Sequence, residues 1–167
     1  MGLTVTNSLS LRMYYKDNKT LVTSANRSEA TTGKLSYADA SALRVAIKRL
    51  ADYKYDESTD DDLEEKLRAF CDTYNYAITT ASKYGSNNTI VKNAASRIKS
   101  LTSDYSSTLE KYGITVDKNT GYMTMSDTAT SNISHESFEK IFGADSEYMN
   151  SLYKNARQIR NHIDITL

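Results

Sequence analysis

The 167-residue chain has no proline and no tryptophan, one cysteine, two histidines and six glycines. At an ordinary usage of about 5%, roughly eight prolines would be expected. Without them nothing kinks a helix at a fixed point or builds a polyproline linker. The lone cysteine, Cys71, excludes an internal disulfide framework and a zinc site made of cysteines. No G-x-G-x-x-G or G-K-[ST] loop occurs, so the usual glycine-rich phosphate cradles are missing. An excess of one charge is lacking too, because Lys+Arg and Asp+Glu both number 21. That balance argues against a nucleic-acid partner held by a general basic field, and against a polybasic membrane-surface protein. No apolar run approaches the ~18 residues of a membrane span, and no signal-peptide core opens the chain.

The length suits one domain with a continuous core. Two regions differ in texture. Residues 1–34 are rich in Ser, Thr and Asn, with apolar residues alternating at Leu9, Leu11, Met13 and Tyr15. Lys16-Asp17-Asn18-Lys19 and a short Leu21-Val22 run follow. This pattern predicts an extended N-terminal arm or a small β-hairpin, with Ser24 to Gly33 as a loop. Residues 35–167 predict a helical bundle with a β-hairpin near 114–125, so the fold class is mainly α.

Within the second region, Ser36 and Asp39 form an S-x-x-D start signal before Leu43, Ile47, Leu50 and Tyr53 at helical spacing. Ser58, Thr59 and Asp60 are candidate caps for a second helix. Its early acids, Asp60 to Asp62, Glu64 and Glu65, suit the positive end of the helix dipole better than a convergent cation site. Leu63, Leu67, Phe70, Tyr74, Ala77, Ala81 and Tyr84 then step by four and three. That spacing defines a heptad seam down one face. Gly85 stops the helix and Ser86-Asn87-Asn88 turns the chain into a third. The third helix carries Val91, Ala94, Ile98, Leu101, Tyr105, Thr108 or Leu109, and Tyr112, before Gly113. Two such helices make an antiparallel hairpin roughly 35–40 Å long at 1.5 Å per residue. The residues expected to form the seam and its interactions are Leu63, Leu67, Phe70, Tyr74, Val91, Ile98, Leu101 and Tyr105. The pattern serves a seam closed within one chain or between chains equally well.

Beyond Gly113 the period becomes alternating. Ile114 and Val116, a D-K-N-T-G turn from Asp117 to Gly121, then Tyr122, Met123 and Met125 predict a β-hairpin. As a calcium loop the turn fails, since glycine occupies a ligand position and Thr128 stands where the closing acid belongs. Ser134 and Ser137 precede a short helix with Phe138, Ile141 and Phe142. A last helix begins near Asp145 with Met149, Leu152, Ala156, Ile159 and Ile163. Chemistry is sparse. His135 and His162 belong to no H-E-x-x-H pair and to no nucleophile elbow. Cys71 beside the seam reads as a buried, inert thiol. The cluster Lys154, Arg157 and Arg160 reads as a solvated face. Of the thirteen tyrosines, Tyr74, Tyr84, Tyr105 and Tyr112 fall on the seam. Tyr14, Tyr15, Tyr53, Tyr55 and Tyr76 are candidates for interface contacts.

The run from Leu109 to Asp127, L-E-K-Y-G-I-T-V-D-K-N-T-G-Y-M-T-M-S-D, followed by S-F-E-K-I-F-G, resembles the C-terminal stalk of flagellar filament-capping proteins (hook-associated protein 2). The resemblance runs from about Asp60 to the C-terminus. Capping proteins are much longer and carry inserted globular domains, so this chain would be a piece of a longer protein or a small relative. What the resemblance implies is a bacterial, non-enzymatic structural or assembly module without cofactors. It would associate with itself or with flagellar-type protein subunits, and be exported to an extracellular assembly without a cleaved signal. The alternative is a cytoplasmic helical adaptor or chaperone-like binding module.

Overall fold

The structure, a computed structural model, describes residues 8–54, 60–126 and 134–165. Its frame is four long helices, each started or stopped by an identifiable local device. Helix α3 spans Thr32–Ala51 and is capped by Thr31, whose side chain accepts from the Lys34 amide. Helix α4 spans Asp60–Tyr84. A short 3-10 turn, Gly85–Asn87, leads to Asn88, whose side chain accepts from the Val91 amide and starts α5, Thr89–Asp104. Ser146 caps α8, Glu147–Asn161, in the same way through the Met149 amide. A side-chain cap of this kind contributes about 1 kcal/mol.

Around the core, α3 packs on α4 and α8, and α5 packs on α4 and α8. Gly33, at the start of α3, lies against Tyr84 at the end of α4 and against Ile163 and Asp164 just past α8. Asn88 Nδ2 donates to the His162 carbonyl at 3.1 Å, bringing the start of α5 to that same end. Neighbouring helices are therefore antiparallel, which makes an up-down-up-down four-helix bundle. Leu43, Leu67, Phe70, Tyr74, Ile98 and Leu152 are fully buried between them. Each such side chain stabilises the fold by about 1.5–3 kcal/mol relative to exposure.

The predicted third helix does not run straight to Gly113. It breaks at Tyr105 (φ −94°, ψ 4°), and α6, Ser106–Glu110, follows. The Tyr105 amide is shared between the carbonyls of Leu101 and Thr102, both at 3.2 Å, which tightens the last turn. Its ring meanwhile stacks on Tyr148 with centroids 4.7 Å apart.

The long crossover from α5 to α8 also holds the β-hairpin. Strands β1, Ile114–Val116, and β2, Met123–Met125, pair antiparallel with Val116 opposite Met123. Gly121 adopts φ +79° in the connecting turn, where a side chain would be strained. Asp117 accepts from the amides of Asn119 and Thr120, both at 2.8 Å, and these bonds hold its carboxyl below the usual range. The hairpin is fastened to α4 by one residue. Asn75 receives the Met123 amide at 2.8 Å and donates to the Met123 carbonyl at 2.9 Å, acting as a substitute strand for that position. Helix α7, His135–Phe142, starts at Ser134 as expected and buries Phe138, Ile141 and Phe142. Phe142 meets Phe70 and Tyr112 edge-on, at 6.1 and 5.5 Å.

The expectation of an extended arm or β-hairpin at residues 1–34 is corrected over its described part. Helix α1 spans Ser8–Tyr15, 3-10 turns broken at Asn18 span Lys16–Val22, and α2 spans Ser24–Glu29. The alternation was accidental. Leu11, Tyr14 and Tyr15, three and four apart, are buried, whereas Met13 is 57% exposed. Helical spacing therefore describes the packed face, and α1 docks on α3. The start signal at Ser36 and Asp39 is corrected as well. Both residues lie fully buried inside α3, which begins a turn earlier, so the boundary between 34 and 35 cuts its first turn. The candidate caps Ser58 and Thr59 lie outside the described residues.

Candidate binding groove

The eight seam residues do not share one environment. Leu63, Leu67, Phe70, Tyr74, Val91 and Ile98 are buried inside the single chain, while Leu101 and Tyr105 are only partly covered. The face expected to zip helices together is thus largely filled by α3, α8 and the crossover. Tyr14 and Tyr15, expected as contact residues, are buried too, while Tyr53 and Tyr76 are partly covered. Tyr55 lies outside the described residues. Among the described residues, no three His, Cys, Asp or Glu side chains gather as metal ligands. His135 is an exposed first-turn residue 3.4 Å from Glu139, and His162 ends α8. Cys71 is buried, and desolvation pushes its thiol well above the ordinary range. Among the described residues no helix is long and apolar enough to cross a membrane.

What the fold assembles instead is polar. Asp39, buried on α3, receives Arg27 through two hydrogen bonds of 2.8 Å, one to each oxygen. Tyr15 donates to it at 2.6 Å, and the Thr80 hydroxyl lies 2.9 Å away. Burial lowers the tendency of Arg27 to hold its proton, but the hydrogen bond and charge of Asp39 outweigh that, so its pKa rises. Burial first, and Asp39 second, raise the Tyr15 phenol. Arg27 also covers the Tyr76 ring at 4.0 Å. Every group in this cluster has a partner, and its effect is to pin α1 and α2 to the bundle.

Beside it, a groove of about 430 Å³ opens between the end of α1, α3 and α8. Helix α3 contributes Tyr37, Ser41, Arg44 and Lys48, in steps of four, three and four, hence one face. Helix α8 adds Tyr153 and Arg160, and the turn after α1 adds Lys16 and Asp17. The Arg44 guanidinium lies over Tyr153 at 4.8 Å and donates to its hydroxyl at 2.9 Å; Arg160 lies over Tyr37 at 4.9 Å. A guanidinium held against a ring loses less freedom on binding, and Arg44 keeps one terminal nitrogen that Tyr153 does not use.

Donors outnumber acceptors in the groove. Ser41 Oγ, Arg44 Nε and Arg160 Nε are buried and find no acceptor, which costs about 1–3 kcal/mol for each such group. Four cations face one carboxylate, Asp17, a formal excess of +3 in a chain whose total is zero. Lys16 holds φ +46°, a conformation about 1–2 kcal/mol less favourable than a right-handed one for a residue with a side chain. Arg12, Lys19 and Arg49 continue the basic surface on the other side of Lys16.

The sequence groups Arg160 with Lys154 and Arg157 on one solvated basic face. Those two are exposed, whereas Arg160 is half-buried at the groove. The stripe Tyr37, Ser41, Arg44, Lys48 was open to detection as a polar face on an otherwise apolar helix. Comparison of the chain with protein-family models, with curated proteins and with solved structures gives no match, so the groove itself is the guide to function.

Proposed function

We propose that the chain is a non-enzymatic binding module: a self-contained helical bundle that offers an outer surface to a partner. The observation that carries this reading is the burial of Leu63, Leu67, Phe70, Tyr74, Val91 and Ile98 within one chain. A seam already filled is not free to pair with a second copy. A flagellar-type assembly reading then rests on outer faces, and one observation favours keeping it second. Leu101 and Tyr105 remain partly open at the end of α5, beside Asn150 and Lys154 of α8. Light scattering over a hundredfold concentration range, with reductant present, separates the two. A mass of 18.7 kDa throughout is expected. An oligomer that dissociates on dilution, and that Tyr105→Ser abolishes, would replace the module reading by the assembly reading.

A further inference from the structure

We propose that the groove between α1, α3 and α8 is a binding site for a small molecule carrying a phosphate or diphosphate group. This deepens the binding-module reading and rests on it. The chemistry required is that of an anion with several acceptor oxygens and more than one negative charge. Lys16, Arg44, Lys48 and Arg160 together exceed Asp17 by three charges. A single carboxylate would leave most of that excess unmatched. A phosphate monoester brings close to two negative charges at neutral pH, and three acceptor oxygens.

Two guanidiniums held against the rings of Tyr37 and Tyr153 provide planar forks whose orientation is set before a ligand arrives. No described carboxylate forms an ion pair with either arginine, or with Lys48 or Lys16. The four cations are therefore not neutralised by an ion pair, unlike Arg27, which Asp39 neutralises. The concavity, about 430 Å³, lies within the size range of small-molecule sites.

A small molecule is favoured over a nucleic-acid strand for two reasons. Strand-binding surfaces offer open aromatic faces on which bases stack, and here arginines occupy one face of both Tyr37 and Tyr153. The chain as a whole also has no net positive charge to hold a long polyanion.

The test is calorimetric titration of the full chain with inorganic pyrophosphate and with orthophosphate at low ionic strength. Lys48→Gln, Arg160→Gln and Lys118→Gln are run beside it, and each variant's fold is checked by its thermal melt. Lys48 is exposed, so its replacement leaves the core intact, and Lys118, exposed in the hairpin turn and not part of the groove wall, is the control. One-to-one binding is expected, weakened at least tenfold by Lys48→Gln and by Arg160→Gln and unchanged by Lys118→Gln. No binding at millimolar pyrophosphate, or equal weakening by all three variants, overturns the site. Tighter binding of a single-stranded oligonucleotide or a poly-glutamate peptide through the same residues overturns the small-molecule assignment. The scattering experiment fails independently: a monomer indifferent to pyrophosphate removes the anion site alone, and an oligomer that binds pyrophosphate removes the module reading alone.

Discussion

Asp39 has a side chain with no exposure to water, and Arg27, its ion-pair partner, is only 12% exposed. Removing one member of such a pair leaves the other charge buried and unmatched, which costs about 3–5 kcal/mol. Asp39→Ala should show that loss in urea unfolding, and the double variant Arg27→Met/Asp39→Leu should recover part of it. An alanine variant as stable as the parent would mean that the cluster contributes nothing to the fold. Seam residues should grade by burial in the same way. Phe70→Ala should cost about 3–5 kcal/mol, whereas Leu101→Ala, only half covered, should cost less than about 2 kcal/mol. Equal losses from the two would contradict the packing described. Asp39 also shows where residue-level inference from sequence stops. An S-x-x-D pattern marks many helix starts, but only the fold reveals that Asp39 lies inside α3 and is paired directly with Arg27 of α2.

At the scale of elements, the α4–α5 hairpin depends on closeness more than on a special backbone angle. A Cβ placed on Gly85 would come within 2.8 Å of the Lys92 backbone, nearer than real atoms approach. Gly85→Ala must therefore push the two helices apart, and should cost about 1–3 kcal/mol in a thermal melt. A variant melting at the parent's temperature would show that the turn has slack. The hairpin is legible in the sequence because seven-residue spacing, a glycine stop and the Ser86-Asn87-Asn88 turn agree there. The N-terminal elements are not, because α1 is only eight residues long and offers barely two turns of pattern. Over so short a run, period two and period 3.6 share Leu11 and Tyr15 and differ only in taking Met13 or Tyr14 between them. Docking on α3 decides between them, and that contact is non-local.

For the molecule as a whole, alkaline pH is the sensitive direction. Burial raises the phenols of Tyr15, Tyr74 and Tyr148 above the ordinary value of 10.0. In the folded state these groups keep protons that the unfolded chain gives up, so the folded state binds more protons above pH 10. Stability is then fully present below pH 10 and falls as pH rises beyond it, by up to about 1.4 kcal/mol per pH unit for each group. Urea midpoints measured from pH 8 to 11 should be flat at first and then drop. A midpoint unchanged at pH 11 would mean that the phenols titrate freely in the folded protein. The bundle itself could be foreseen from periodicity, whereas the groove could not. Its walls come from positions more than a hundred residues apart, and only the antiparallel path of α3 and α8 brings Tyr37 to Arg160.

The sealed environment of Cys71 has a practical consequence. A thiol that is 4% exposed and reluctant to ionise reacts with an aromatic disulfide reagent only while the bundle is open. Because the chain has a single cysteine, every labelling event reports the same place in α4. In a folded protein under native conditions, the labelling rate divided by that of the unfolded chain measures how often this part of the interior opens. The protein therefore carries its own clock for rare opening, readable without denaturant and without an introduced probe.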